Sequence, residues 1–329
     1  MGNLTRDNIL NMLKTSNDYV SGQEICETLG LSRTAVWKHI NTLKSEGYEI
    51  SSVNNRGYRL DNAPDILNEN TIKENMKTKW LGKDIIYLVE TDSTNTQAKR
   101  IGENGGKHGT IVVTDKQTAG KGRRGRGWIS PPGNTYFSIL LYPDIKVDRA
   151  SMITLVAAMA VAGAVEEYSR QEAFIKWPND VVVNGKKICG ILTESSTDLE
   201  YIQYVVVGIG INCNQKDFDK DIADKATSVA LEMGCDIVRG NLLARVFELF
   251  EKYYDLFMET EDLSKLKEEY NAHLINIGRE VKIIDKDNEY VKKALGIDES
   301  GALIVEDENG SRDYIISGEV SVRGLYGYV

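Results

Sequence analysis

The chain is poor in the residues that carry most metal and nucleophile chemistry. It has four cysteines (Cys26, Cys189, Cys213, Cys235) and three histidines in 329 residues. The cysteines form no CxxC pair and show no metal-ligand spacing, so no protein-held metal site is expected. They read as reduced core thiols rather than as a disulfide frame. No Ser-His-Asp set is visible. Positive charge is also short. The net charge is −9, which argues against a protein that coats nucleic acid at large but leaves room for a local basic face. No signal-type apolar stretch opens the sequence, and no apolar run approaches the roughly 20 residues that span a bilayer. A cytoplasmic protein without a membrane segment is expected. No internal repeat is visible. What is present is ample core: 41% of the residues are hydrophobic, at a length that suits two or three domains.

Against this acidic background, residues 115–128 read DKQTAGKGRRGRGW. Lys121, Arg123, Arg124 and Arg126 alternate with Gly120, Gly122, Gly125 and Gly127. Apolar runs at 110–114 and 135–142 flank the stretch as strands. Glycine is costly inside helices and strands, so no regular element suits the segment. Its cations repel one another, and its N–H groups lack partners. An anion supplies both, so the loop is expected to order around one. Spacing alone leaves open a solvated basic loop or an RGG-like RNA-binding segment.

A second stretch decides between them. KWPND at 176–180 is followed by KKICGILTE at 186–194. Two apolar runs flank Asn184-Gly185, a hairpin signal, so Lys187 is expected near the start of a return strand. GKGRRGRGW, KWPND and KKICGILTE in this order resemble the biotin–protein ligases. With the N-terminal segment, the resemblance is to the bifunctional branch that is both ligase and biotin-operon repressor, and it covers nearly the whole chain. It implies an α+β architecture of three parts. Residues 1–62 would form a winged helix-turn-helix DNA-binding domain. Residues 63–275 would form a mixed-sheet α/β ligase domain resembling class II synthetases, and 276–329 an SH3-like β-barrel.

The N-terminal segment carries its own signals. A short amphipathic helix is expected over 4–13. Ser21 caps a second helix that stops at Gly30, with Glu24 at the capping-box position, and Ser32 caps a third over 33–45. Helix, glycine turn, helix is the DNA-binding pattern. Short strands at 48–51 and 58–60 around Asn54–Gly57 would be the wing. Arg33, Thr34 and Lys38 on the third helix are the candidate groove readers, and Arg56 a backbone contact from the wing. Trp37 is expected in the core. Over residues 1–63, seven Lys and Arg balance seven Asp and Glu, but five of the cations fall on the third helix or wing. Residues 61–65 read as a linker.

Further along, a short helix is expected at 71–76 and a strand at 84–89. Ser93-Thr94-Asn95 precede a helix expected at 96–101 and would ordinarily be an N-cap. A long apolar helix at 149–169, rich in alanine, reads as the central scaffold. Residues 200–212 read as a buried strand whose glycines admit a ligand. The polar segment 214–227 reads as a flap. Helices are expected at 241–259 and 263–274, then strands at 280–285, 302–306, 313–317 and 319–322.

The resemblance assigns roles to these residues. Ser93, Thr94, Asn95 and Gln117 would meet the ureido end of biotin. Gly120, Arg123, Arg124, Gly125, Trp128, Lys187, Gly190 and Gly208 would line the rest of its site. Arg126, Lys176, Asn179, Asn212 and Arg323 would hold the nucleotide. The implied reaction joins the biotin carboxylate to the α-phosphate of ATP, with Mg2+ on the phosphates, then passes biotin from biotinyl-5'-AMP to a lysine of a biotin carboxyl carrier protein. Lys187 and Arg123 would stabilise the first step. Asp180 would orient or deprotonate the incoming lysine in the second. Operator DNA and a ligand-promoted homodimer are the other implied partners. The sequence departs from the pattern mildly at Gly127, where relatives can carry a larger residue. Two competing readings are a winged-helix regulator that senses biotin without catalysis, and a lipoate-type ligase on the same fold.

Overall fold

A computed structural model describes residues 2–16, 18–62, 64–198, 201–285, 288–316 and 321–324. The chain divides into two compact units, Met1–Ile66 and Leu67–Val329.

In the first unit, α1 (Gly2–Thr15), α2 (Gly22–Leu29) and α3 (Arg33–Ser45) are followed by an antiparallel hairpin of β1 (Glu49–Val53) and β2 (Gly57–Asn62). The caps are those the sequence signals. Ser21 Oγ accepts from Glu24 N–H at 3.0 Å, and Ser32 Oγ from Ala35 N–H at 3.2 Å. Gly30 ends α2 in the left-handed region at φ 66°. Val36, Ile40 and Leu43 form the buried stripe of α3 against Ile9, Leu13, Ile25 and Ile50. Trp37 corrects the expectation that it belongs to this core: it is 59% exposed. One residue further round a helix turns a side chain by about 100°, which takes it off a stripe built on i, i+4 and i+7. β2 runs through Asn62, so Asp61 and Asn62 belong to the wing rather than to the linker. Asp61 pairs there with Arg59 at 2.7 Å.

The second unit is built on a seven-stranded mixed sheet. After a short α4 (Glu69–Lys73) come β3 (Ile85–Thr91), α5 (Thr94–Glu103), β4 (Thr110–Gln117), β5 (Thr135–Leu141) and α6 (Met152–Ser169). Then follow β6 (Ala173–Lys176), β7 (Asp180–Val183), β8 (Lys186–Asp198) and β9 (Tyr201–Ile211). The strand order is β3-β4-β5-β9-β8-β7-β6, with β3 and β4 parallel and the remaining pairs antiparallel. Asn184 and Gly185 turn from β7 to β8 with φ of 51° and 74°, the left-handed pair a two-residue hairpin demands.

Alternation along the strands decides what covers each face. Ile111, Val113, Ile139, Leu141, Val205 and Val207 belong to the large core with α6 and the long helix α8 (Arg239–Thr260), which follows a short α7 (Val229–Met233). The intervening Val112, Leu140 and Val206 pack instead with Ala98 of α5. The expectation that no apolar run is long enough to span a bilayer is corrected here: Val147–Ser169 is apolar and long enough to cross a membrane, and 78% of its apolar 18-residue window is buried. That burial makes it the central core helix. Its alanines and Gly163 admit α8 closely; a Cβ on Gly163 would lie 3.1 Å from Leu249.

Several local expectations shift. α4 starts earlier than expected because Asn68 and Thr71 form a reciprocal capping box. The helix expected over 263–274 shrinks to α9 (Lys267–Ala272), since Leu263 N–H bonds to Glu299 O at 2.8 Å instead of entering a helix. The C-terminal part is a five-stranded antiparallel sheet of β10 (Glu280–Asp285), β11 (Asn288–Ile297), β12 (Leu303–Glu306), β13 (Arg312–Ile315) and β14 (Ser321–Gly324), in the order β13-β12-β11-β10-β14. β11 was missing from the expected set; paired lysines at 292 and 293 obscure its alternation. Residues 317–320, part of the expected C-terminal strands, lie outside the described residues. Arg323 pairs with Lys282 along β14, and its side chain lies outside the described residues.

Candidate active site

A cleft of roughly 1090 Å³ opens where the start of α5, the loop after β4, the turn between β6 and β7, and the β8 and β9 strands converge. Ser93, Thr94, Asn95 and Gln117 line one part. Arg123, Arg124, Arg126 and Trp128 come from the basic loop, and Lys176, Asn179 and Asp180 from the KWPND turn. Lys187, Gly190, Gly208 and Asn212 line it as well, while the side chain of Arg323, expected at the nucleotide, lies outside the described residues. Gly120 and Gly125 do not line it. Gly120 instead closes the loop: its carbonyl accepts from Trp128 N–H at 2.9 Å, and a Cβ there would lie 2.4 Å from Trp128 O. The four candidate DNA contacts belong to the first unit. Arg33, Thr34 and Lys38 are exposed on α3, and Arg33 donates to Gln23 Oε1 at 3.1 Å. Arg56 in the wing pairs with Asp18 at 2.9 Å, an exposed bond worth little that a phosphate can replace.

The polar end is held by hydrogen bonds among its own side chains. α5 begins at Thr94, two residues earlier than expected, with Ser93 as N-cap residue. Ser93 makes no capping bond, contrary to an ordinary N-cap. Its own N–H donates to Asp92 Oδ1 at 2.7 Å. Ser93 is only 2% exposed, lines the cleft, and has no side-chain partner among the described residues. A buried hydroxyl left open in this way suits a ligand. Thr94 N–H donates to Gln117 Oε1 at 2.9 Å, and Gln117 Nε2 donates to Ser130 Oγ at 2.9 Å. The hydroxyl of Ser138, from β5, donates to Asn95 Oδ1 at 2.6 Å and lies 2.8 Å from Thr94 Oγ1.

The other end is cationic. Among the described residues, Lys121, Arg123, Arg124, Arg126, Lys176, Lys187 and Lys225 line the cleft against only Asp180, Asp217 and Asp219. Seven cations facing three carboxylates make a site for an anion. The basic loop contains one element that its glycines hide: a 3-10 turn, Arg123–Gly125, with Arg124 in the left-handed region at φ 57°. It is tied down by its own contacts. Arg123 Nη1 donates to Asn179 Oδ1 at 2.8 Å, and Lys121 Nζ to Thr96 Oγ1 at 3.1 Å. Burial lowers the pKa of the Arg123 guanidinium from its ordinary value; Asp180 opposes this, and Arg124 and Arg126 add to it.

Lys187 Nζ sits 2.6 Å from Asp180 Oδ1 and 5.0 Å from the Trp128 ring centroid. Asn179 braces the pair, donating to Asp180 Oδ1 and to Ile191 O, each at 3.1 Å. Trp128 lies on bare backbone: a Cβ on Gly210 would lie 2.6 Å from its Nε1, and one on Gly190 2.9 Å from its ring. That Nε1 is buried without a partner among the described residues. The expected flap also reaches the cleft, through Asp217, Phe218, Ile222 and Lys225. Its ends are pinned, since Lys187 N–H donates to Lys225 O at 2.7 Å and Ser228 Oγ to Gln215 O at 2.6 Å. Among the described residues no group of three His, Cys, Asp or Glu side chains could hold a metal ion. The sequence reading missed Ser138 and the part of Gly210 in seating Trp128. The glycines at 208 and 210, two apart in a strand, were the available signal.

Residues 87–212 match the Biotin/lipoate A/B protein ligase family, 5–59 an HTH domain, and 277–323 the Biotin protein ligase C terminal domain. The fold and cleft thus define a protein ligase of the biotin/lipoate class joined to a helix-turn-helix unit. The Bifunctional ligase/repressor BirA of Bacillus subtilis is 40% identical over 93% of this chain and 95% of its own length. That of Escherichia coli is 31% identical over 94% and 95%. A biotin protein ligase from Aquifex aeolicus, solved in complex with biotin and ATP, superposes with a TM-score of 0.65 at 34% identity, over 74% of this chain and 99% of its own. The chain belongs to the BirA family of bifunctional ligase/repressors.

The glycine floor beneath Trp128 yields a prediction. Gly210→Ala should lift the indole, exposing it and shifting its fluorescence to the red, a difference absent in a Trp128→Phe background. Identical emission spectra for Gly210→Ala and the parent would contradict this packing.

Proposed function

We propose that this chain activates biotin with ATP, transfers it to a lysine of a biotin carboxyl carrier protein, and represses biotin genes through its helix-turn-helix unit. The carrying observation is the polarity of one cleft: hydroxyls and amides at one end, seven cations at the other. Biotin has the complementary form, a neutral urea head and an anionic tail.

In the first step a biotin carboxylate oxygen bonds to the α-phosphorus of ATP, and the bond to the β-phosphate oxygen breaks to release pyrophosphate. Two anions must meet, so charge concentrated in place beforehand lowers the barrier. Lys187 exchanges Asp180 for the carboxylate and the forming phosphate ester. Arg123, already fixed by Asn179, adds a second cation. Lys176, Asn179, Arg126, Asn212 and Arg323 are assigned to the nucleotide, and Mg2+, when bound with the triphosphate, would supply charge neutralisation there. Trp128 and the flap exclude water from the labile adenylate. In the second step the lysine amine attacks the acyl carbon and AMP leaves. Asp180, freed from Lys187, orients or deprotonates that amine.

The exposed face of α3, with Arg33, Thr34 and Lys38, is assigned to the operator major groove. Two-fold operators call for a dimer. One edge supports this: β7 pairs with β8 only as far as Gly190, so residues 193–198 pair with β9 on one side and with no described strand on the other. An open edge of this kind is a template for a second strand. The adenylate, by bridging the cations of the basic loop in place of their present partners, promotes dimerisation and operator binding, and unloaded carrier competes for the same surface. Dimerisation must in turn tighten adenylate binding by the same factor.

Lys187→Ala should form biotinyl-adenylate at least a hundredfold more slowly in quenched-flow assays, as expected for a lost transition-state contact of about 2.7 kcal/mol or more. An unchanged rate would remove Lys187 from the first step. Sedimentation of the full chain should show a mass increase with biotin plus ATP. A mass indifferent to both, with operator affinity that responds to them, would place the signal elsewhere.

A further inference from the structure

A carboxylate that none of these steps uses stands behind the polar end. Glu194 is half-buried on β8. It accepts from Asn95 Nδ2 at 2.8 Å and pairs with Lys99 of α5 at 2.5 Å. Burial works to raise its pKa, but the bonds from Lys99 and Asn95 and the charges of Lys99 and Lys121 outweigh it, and the net shift is downward. The group is therefore a carboxylate, an acceptor only.

That fixes what Asn95 can offer. Asn95 is 4% exposed and lines the cleft. An amide side chain has two N–H donors and a carbonyl oxygen with two lone pairs. Both donors are spent, one on Glu194 Oε2 and one on Leu192 O at 3.2 Å. Only a nitrogen can face a carboxylate and a carbonyl together, so the amide has one orientation, set by its neighbours. Oδ1 receives the Ser138 hydroxyl and keeps one lone pair. It sits against bare backbone, since a Cβ on Gly208 would lie 1.9 Å away. Asn95 is thus an acceptor towards the cleft.

A cyclic urea presents two N–H donors. A flipped amide would set N–H against N–H; the observed one sets oxygen against it. We propose that Glu194, backed by Lys99, is a positioning residue that locks the Asn95 oxygen towards the cleft and so selects a ligand head bearing an N–H donor over an apolar or acceptor-only ring. This rests on the reading that the urea of biotin lies at Ser93, Thr94 and Asn95. Glu194 touches no ligand in this account; it acts through Asn95.

The test is calorimetry on the full chain with biotin and, separately, with ATP. Glu194→Met should weaken biotin about tenfold, the scale of one hydrogen bond to a charged group, and leave ATP affinity unchanged. Glu194→Gln, which keeps an acceptor for Asn95, should restore most of the loss. Lys99→Met, at a partly exposed site, should give the same direction at about two- to fivefold, and it keeps the proposal testable if Glu194→Met does not fold. In an Asn95→Ser background the Glu194 and Lys99 substitutions should have no further effect on biotin. A merely structural ion pair would instead lower the melting temperature and weaken both ligands alike, which would overturn the proposal. So would parental biotin affinity in Glu194→Met, or an equal loss in the Asn95→Ser background. Ser93→Ala separates the two levels. If it too binds biotin as the parent does, the urea placement itself fails, and the inference with it. If it weakens biotin while Glu194→Met does not, only the role of Glu194 is lost.

Discussion

Positive charge gathered in one place with few carboxylates beside it is the constraint on which the rest of the second unit depends. Seven cations line a cleft in a chain whose net charge is −9. Like charges at such spacing repel, more strongly where the walls are apolar. The fold meets this by giving the central cations temporary partners. Lys187 has Asp180 and the face of Trp128; Arg123 has the Asn179 side-chain amide oxygen; Lys121 has the Thr96 hydroxyl. Each is a contact that an incoming anion can replace. The β6–β7 turn that bears Asn179 and Asp180 is itself anchored to β8, through Ile191. The sheet therefore sets the distance between Lys187 and the loop, and the buried α6 sets the sheet.

The opposite end follows the reverse logic. Its side chains are neutral, buried or half-buried, and hydrogen-bonded to one another, apart from the Ser93 hydroxyl, which has no partner among the described residues. A ligand there must fit donors and acceptors fixed in advance. A ligand at the cationic end only has to be negative. The site is selective at its head and powerful at its tail, which suits the activation of one particular carboxylic acid.

Much of this was legible in the chain because local rules carried it. Ser21, Gly30 and Ser32 bound the helices of the first unit by capping chemistry that acts within three residues. Asn184-Gly185 sets its hairpin by backbone preference alone. The basic loop and the KWPND turn announced the cleft by composition. The misses share another cause. Trp37 lies beside a buried stripe, and apolarity does not tell adjacent positions on a helix apart. β11 carries Lys292 and Lys293 and so looked polar. Ser138 and Glu194 come from strands 43 and 99 residues from Asn95; only the strand order β5-β9-β8 brings them to it, and no local signal encodes that order.

The central claim is that one cleft joins an anionic tail to the α-phosphate of ATP before any acceptor protein is present. Exchange of labelled pyrophosphate into ATP tests this most directly, because it requires the first step to run in both directions. With the full chain, ATP and Mg2+, exchange should appear only when biotin is added, and no carrier protein should be needed. Exchange that is absent with biotin, or that appears only with the carrier, would contradict the account.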